Sequence, residues 1–291
     1  MISEKFNFVE KLYEDLLTID VIIERMLDNS TIGKKTYEND PNSSIQFGFL
    51  GSPYYWKKKD EKNQIQAKQL YEAFYFQFKP LLKYAGSNTK QKLDKANEKI
   101  KEIINQEEAP ISIEKAKKSI KKQLGNFNNF LQLLNDKESV IVIVPDTNAI
   151  INYPDPIVYK NDTNNSFDYI ILPTVLSELD KHKLNHKNEG FRKKVSSIIK
   201  RLKGYRKQGN VLKGVTIHKS ITVKMIATEP NFEALPSWLD KDNNDDRIIA
   251  SILLLQIENP TNIYIFVTND INCQNKAQMA SIGVFDTDDL L

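Results

Sequence analysis

The sequence predicts an α/β fold with a central, mainly parallel sheet flanked by helices, preceded by an all-helical amino-terminal domain. Three observations carry this reading. Five consecutive β-branched apolar residues, Val140 to Val144, form a run of the kind buried on both faces of a parallel sheet. Downstream, short apolar runs alternate with amphipathic helical stretches, the pattern of repeated βα units. Upstream, apolar residues recur at helical spacing. Asn135-Asp136-Lys137-Glu138 is the natural boundary, giving a helical domain over 1–136 and an α/β domain over 139–291.

In the first half, Phe6, Val9, Leu12, Leu16, Ile19, Ile23 and Leu27 mark one buried face of a helix from Glu4 to Leu27, with Ser3 as its cap. Residues 28–63 lose this periodicity. Their turn residues, the aromatic cluster Tyr54-Tyr55-Trp56 and the run Lys57-Lys58-Lys59 predict a long loop or a small irregular lobe. A second helix covers Gln64 to Tyr84, interrupted at Pro80. Ser87-Asn88 starts a third through Ile104, and Pro110 with Ser112 a fourth through Leu134. The aromatic residues of 71–78 share one helical face, so they are expected in a core rather than on a base-stacking surface.

In the second half, the opening strand stops at Pro145 and delivers Asp146, Thr147 and Asn148 to its carboxyl end, where open α/β sheets place ligands. Tyr169 to Pro173 is a second strand, and Thr174 caps a helix with Glu178 in its first turns. Phe191 to Leu202 is a further helix. Val215 to His218 and Ser220 to Ile226 have strand character, and Ile248 to Gln256 is helical after an acidic segment at 240–246. Asn262 to Thr268 is a strand followed by Asp270, and Asn275 to Ala280 a short helix.

Bulk properties narrow the class. With 291 residues, 40% hydrophobic and 27% charged, the chain has the composition of a globular protein. Its one cysteine, Cys273, excludes an intramolecular disulfide framework and a multi-cysteine zinc site. The start carries no signal-peptide core, and no apolar run approaches the length of a membrane span, so a cytoplasmic protein with no membrane partner is expected. A net charge of +3 is too small to imply nucleic-acid binding by itself.

Asp146, Glu178, the pair Asp245 and Asp246, and Asp270 fall at equivalent places, each at a strand end or a helix start. Parallel strands bring those places to one edge. Carboxylates gathered in one cleft repel one another unless a cation neutralises them, and hard oxygen donors suit Mg²⁺ or Mn²⁺. Either member of the 245–246 pair satisfies the spacing to the helix that follows.

Four segments together resemble the PIN-domain ribonucleases: Val-Pro-Asp-Thr-Asn-Ala-Ile-Ile (144–151), Leu-Pro-Thr-Val-Leu-Ser-Glu-Leu-Asp-Lys-His-Lys (172–183), Asn-Asp-Asp-Arg-Ile-Ile-Ala (244–250) and Val-Thr-Asn-Asp-Ile-Asn (267–272). They occur in the family order and cover about 139–291. The middle stretch is most similar to PIN domains fused to PhoH-type ATPases and to those of eukaryotic RNA-surveillance endonucleases. The resemblance implies a PIN-like fold and a metal-dependent endoribonuclease acting on single-stranded RNA. Asp146, Glu178, Asp245 or Asp246, and Asp270 would hold Mg²⁺ or Mn²⁺, Asp245 being preferred. Asn148 and Thr268 match polar positions that help arrange the site. Hydrolysis would leave a 5′-phosphate and a 3′-hydroxyl.

Other readings compete. Glu178, His182 and His186 lie at helical spacing, but the zinc metalloprotease pattern needs Glu directly after its first His, and Lys183 stands there. Between Phe191 and Lys213 lie nine basic residues and no acid: Arg192, Lys193, Lys194, Lys200, Arg201, Lys203, Arg206, Lys207 and Lys213. Beside an acidic cleft they are expected to track phosphates. A catalytically inactive RNA-binding scaffold and a DNA-directed structure-specific nuclease are the alternatives. The absence of duplex-gripping helices after the core favours RNA. The helical first half is expected to serve regulation, protein-partner binding or substrate selection, and a homodimer is compatible with the sequence.

Overall fold

In a computed structural model of the chain, residues 7–35, 52–135, 138–160, 163, 166–233 and 235–290 are described. The expected cap Ser3, the helix start at Glu4 and the boundary residues Asp136 and Lys137 lie outside them. The chain divides into two compact units, Glu10–Asp136 and Met1–Val9 with Lys137–Leu291.

Among its described residues the first unit is helical apart from two short strands. Its long helices are α1 (Phe8–Asp28, which starts just before the unit), α2 (Glu61–Phe78), α3 (Ser87–Asn105) and α4 (Ile113–Leu134). Asp60 caps α2 by accepting from Asn63 N, and Ser112 caps α4 by accepting from Lys115 N. At Pro80 the chain tightens into a 3-10 segment, Lys79–Tyr84, because proline cannot supply the N–H that would continue the α-helix. Tyr71, Phe74 and Phe78 are buried, and the Phe78 and Phe127 rings meet edge to face at 4.8 Å, so this stripe is core. Of residues 28–63, read as a loop, 36–51 lie outside the described residues; among the rest, β1 (Thr31–Lys34) and β2 (Tyr54–Lys58) pair antiparallel. Four or five residues with mixed exposure are too few to show the alternation that announces a strand.

The second unit holds a six-stranded sheet in the order β5-β6-β4-β3-β7-β8, built from β3 (Ile141–Pro145), β4 (Phe167–Ile171), β5 (Val215–Ile217), β6 (Ile221–Met225), β7 (Ile263–Val267) and β8 (Gly283–Phe285). All neighbours are parallel except β5 and β6. The helices are α5 (Thr147–Asn152), α6 (Pro173–Asn185), α7 (Glu189–Gln208), α8 (Asn244–Glu258) and α9 (Ile271–Met279). Val142, Ile143 and Val144 are buried at the centre of the sheet, as an unbroken apolar run requires.

Three local expectations change. Pro145 stays in the ladder opposite Val267, and pairing resumes at once because Asp146 N donates to Val267 O at 2.9 Å. Leu172, not Thr174, is the cap of α6, with Pro173 at the first helical position, where a missing N–H costs nothing. The three-residue strand β8 carried no sequence signal of its own.

The topology fixes where chemistry can occur. From β3 the chain moves outward through β4 and β6, then returns to β7 on the other side of β3. The crevice between the carboxyl ends of β3 and β7 is therefore a topological switch point.

Candidate active site

Asp146 stands at that switch point, buried, as the cap of α5. Its Oδ1 accepts from Ala149 N at 2.6 Å and its Oδ2 from Thr268 Oγ1 at 2.6 Å. Thr268, fully buried just beyond β7, also accepts from Asp270 N at 3.1 Å. One hydroxyl thus ties the acid after β3 to the backbone of the acid after β7. Asp270 caps α9, its Oδ1 accepting from Asn272 N at 2.7 Å and Cys273 N at 3.1 Å.

Glu178 enters from α6, half-buried. Asn244 Nδ2 donates to its Oε1 at 2.6 Å, and Thr147 Oγ1 donates to its Oε2. The sequence placed Thr147 at the ligand-bearing strand end without giving it a partner, and did not single out Asn244. Both are immediate neighbours of proposed acids, which was the available signal.

The adjacent Asp245 and Asp246 differ in surroundings. Asn243 caps α8 and accepts from both of their backbone N–H groups, at 2.9 and 3.2 Å. Asp246 is buried, with its Oδ2 accepting from Asp240 N at 2.9 Å and its Oδ1 paired with Lys276. Its carboxylate is consumed in fixing the start of α8 to α9. Asp245 is exposed as a residue, yet its carboxylate rests against the Cys273 thiol, which donates to it.

Two of the five acids show the effect of burial and of acidic neighbours. Burial raises the Asp146 carboxyl above its ordinary value; hydrogen bonds from Thr268 and Ala149 oppose this, and the charges of Asp245 and Glu178 add to it. Asp245 is raised too, chiefly by partial desolvation, with Asp270 and Glu178 contributing and Cys273 and Lys276 opposing. The Cys273 thiol is raised by burial and then by Asp245, Asp270 and Asp146, so it stays protonated as a donor. Asp146 thus feels the charges of Asp245 and Glu178, Asp245 feels those of Asp270 and Glu178, and Asp246 is paired with Lys276.

Among the described residues, no three His, Cys, Asp or Glu side chains stand close enough to hold an ion as they lie. Backbone N–H groups and the Thr147, Thr268 and Asn244 side chains occupy the carboxylate oxygens instead. The donor chemistry nonetheless fits a divalent cation: the donors are hard oxygens, and two carry a charge that the protein disfavours without compensation. Of the four carboxylates, Asp146 is buried, Glu178 half-buried, and Asp245 and Asp270 exposed.

The remaining site candidates spread along the surface. Asn148 is exposed in the first turn of α5. His182 and His186 pack against Phe191, with ring centroids 5.6 and 4.1 Å away, and His186 lies past the end of α6. On α7, Arg192 Nη1 donates to His186 O at 2.5 Å, Arg201 pairs with Asp155 at 2.8 Å and Lys193 with Glu189 at 2.8 Å. Lys194, Lys200, Lys203, Arg206 and Lys207 are exposed.

A mainly parallel sheet with acids set about the carboxyl ends of its strands defines an α/β protein with an acidic sheet edge. The PIN domain model matches residues 143–288, half of the chain, and the chain belongs to the PIN domain family. PIN domains are generally nucleases that use divalent metal ions. Among curated proteins, none matches the chain significantly. Among the described residues, no helix is long and apolar enough to cross a membrane.

Proposed function

We propose that the protein is a metal-dependent endoribonuclease that hydrolyses phosphodiester bonds of single-stranded RNA, with Asp146, Glu178, Asp245 and Asp270 as the residues that hold Mg²⁺ or Mn²⁺. The observation that carries this reading is the pair Asp146 and Asp270 at the carboxyl ends of β3 and β7, tied through Thr268, with Glu178 and Asp245 near enough to raise the Asp146 carboxyl. The bound ion would supply charge neutralisation for the phosphoryl group and a more acidic attacking water. The chain's own residues do the rest. Thr268 and Ala149 N hold Asp146 in one rotamer, Thr147 and Asn244 orient Glu178, and Asn243 sets the start of the helix that carries Asp245. The exposed lysines of α7 provide phosphate contacts, and the scarcity of acids on that helix favours a polyanion.

The test is cleavage of end-labelled single-stranded RNA, and of single-stranded DNA of equal length, with Mg²⁺, Mn²⁺ or a chelator. RNA is cut in either metal, the products carry 5′-phosphates, and chelation abolishes the reaction. Asp146→Asn and Asp245→Asn lose more than about 100-fold in rate, beyond what an outer partner of a metal ligand costs. Asp246→Asn keeps most activity and loses stability instead. Cleavage by Asp146→Asn at the wild-type rate would overturn the assignment, and preferential cutting of DNA would overturn the substrate.

A further inference from the structure

A second concavity opens on the same sheet edge. It has a volume of about 360 Å³ and lies where the carboxyl end of β6, the start of α6, the end of α7 and the 209–212 loop come together. Leu176, Val211, Leu212 and Met225 form apolar walls, with Arg206 and Asn210 among the polar lining. The walls are fixed by the backbone: Met225 N donates to Val211 O at 2.9 Å, and Ile226 N to Ile171 O at 2.9 Å. Asn210 is held by accepting from Leu212 N at 3.0 Å.

We propose that this concavity is a nucleobase-binding subsite of the nuclease, receiving one unstacked base of the single-stranded substrate; the proposal rests on the ribonuclease reading above. An apolar slot with a few polar groups at its border matches the form of a base, which has flat apolar faces and a hydrogen-bonding edge. Charge favours the same occupant. Arg206 and Lys207 close the last turn of α7, so the slot lies beside cations suited to the phosphate that every nucleotide brings. Its location fits as well. β6 lies two ladder spacings from β3, roughly 10 Å along the edge from Asp146. One or two nucleotides bridge that distance. Base capture there would hold the strand in register with the acids.

The test uses the full chain carrying Asp146→Asn, so that bound RNA stays intact, and reads fluorescence anisotropy with a labelled oligouridylate and with an abasic ribose-phosphate oligomer of equal length. The base-bearing strand binds about tenfold tighter, within the range single-base contacts supply elsewhere. Leu212→Ser and Ala227→Trp, at exposed positions of the slot, reduce that difference below about twofold and leave abasic affinity unchanged. Equal affinity for the two strands, or a difference that survives both variants, overturns the subsite. Wild-type cleavage assayed in parallel separates the two readings. Cleavage without base-dependent binding sinks the subsite alone, base-dependent binding without cleavage sinks the nuclease alone, and neither binding nor cleavage sinks both.

Discussion

Thr268 shows how much one hydroxyl can organise. It donates to Asp146 Oδ2 and accepts from Asp270 N with no exposure to water. Thr268→Val keeps the shape and removes both bonds, leaving a buried carboxylate oxygen and a backbone N–H without this partner. We expect a loss of about 1–3 kcal/mol in stability, read by urea unfolding. Turnover should fall about 10–100-fold, with Thr268→Ser restoring both. The raised carboxyls of Asp146 and Asp245 set a pH dependence. Each binds its proton more tightly folded than unfolded, so the metal-free protein loses stability as pH rises from the ordinary aspartate value through the raised ones. Unfolding midpoints measured against pH in chelator should fall through that window, and Asp146→Asn should flatten the slope. Added Mn²⁺ should reverse the loss, because neutralisation favours the charged forms.

At the scale of elements, caps do double duty, since Asp146, Asn243 and Asp270 each start a helix and sit at or beside the acidic group. Asn243→Ala removes the acceptor for two N–H groups of α8 and should cost about 1 kcal/mol, with a fall in activity as Asp245 shifts. Gly214, with φ of +116° and only 2.6 Å between a built Cβ and Thr222 Cγ2, should tolerate alanine poorly; its thermal midpoint relative to wild type is the check. These local features also explain what the sequence disclosed. The run at 140–144 and the acid behind it were legible because five β-branched apolar residues in succession have few other uses. The different surroundings of Asp245 and Asp246 were not, because they arise from Lys276, a cation 30 residues from Asp246 that pairs with it alone. β8 and the β1–β2 pair escaped notice because Gly283–Phe285, Thr31–Lys34 and Tyr54–Lys58 lack the unbroken apolar run or clear alternation that marked the other strands. The cap at Leu172 was missed because Thr174 is chemically the better cap, yet Pro173 already fixes the first turn.

At the scale of the molecule, each compact unit carries one of the two tryptophans, Trp56 and Trp238. Trp238→Phe and Trp56→Phe therefore give single-tryptophan chains that report on one unit each. Mn²⁺ at about 100 times its dissociation constant should stabilise the Trp238-reported transition by about 2.7 kcal/mol and leave the Trp56-reported one in place. A joint shift would show instead that the chain unfolds as a single cooperative body. The six-stranded sheet has a further bearing on how copies behave together. It ends on both sides in three-residue strands, β5 and β8, and β5 runs against its neighbour. Borders so short offer an incoming strand few backbone groups to zip onto, which is how many sheets are guarded against edge-to-edge growth. Concentrated solutions should therefore resist amyloid-like stacking, and a self-associating form of this protein has its helices, not its sheet borders, to join through.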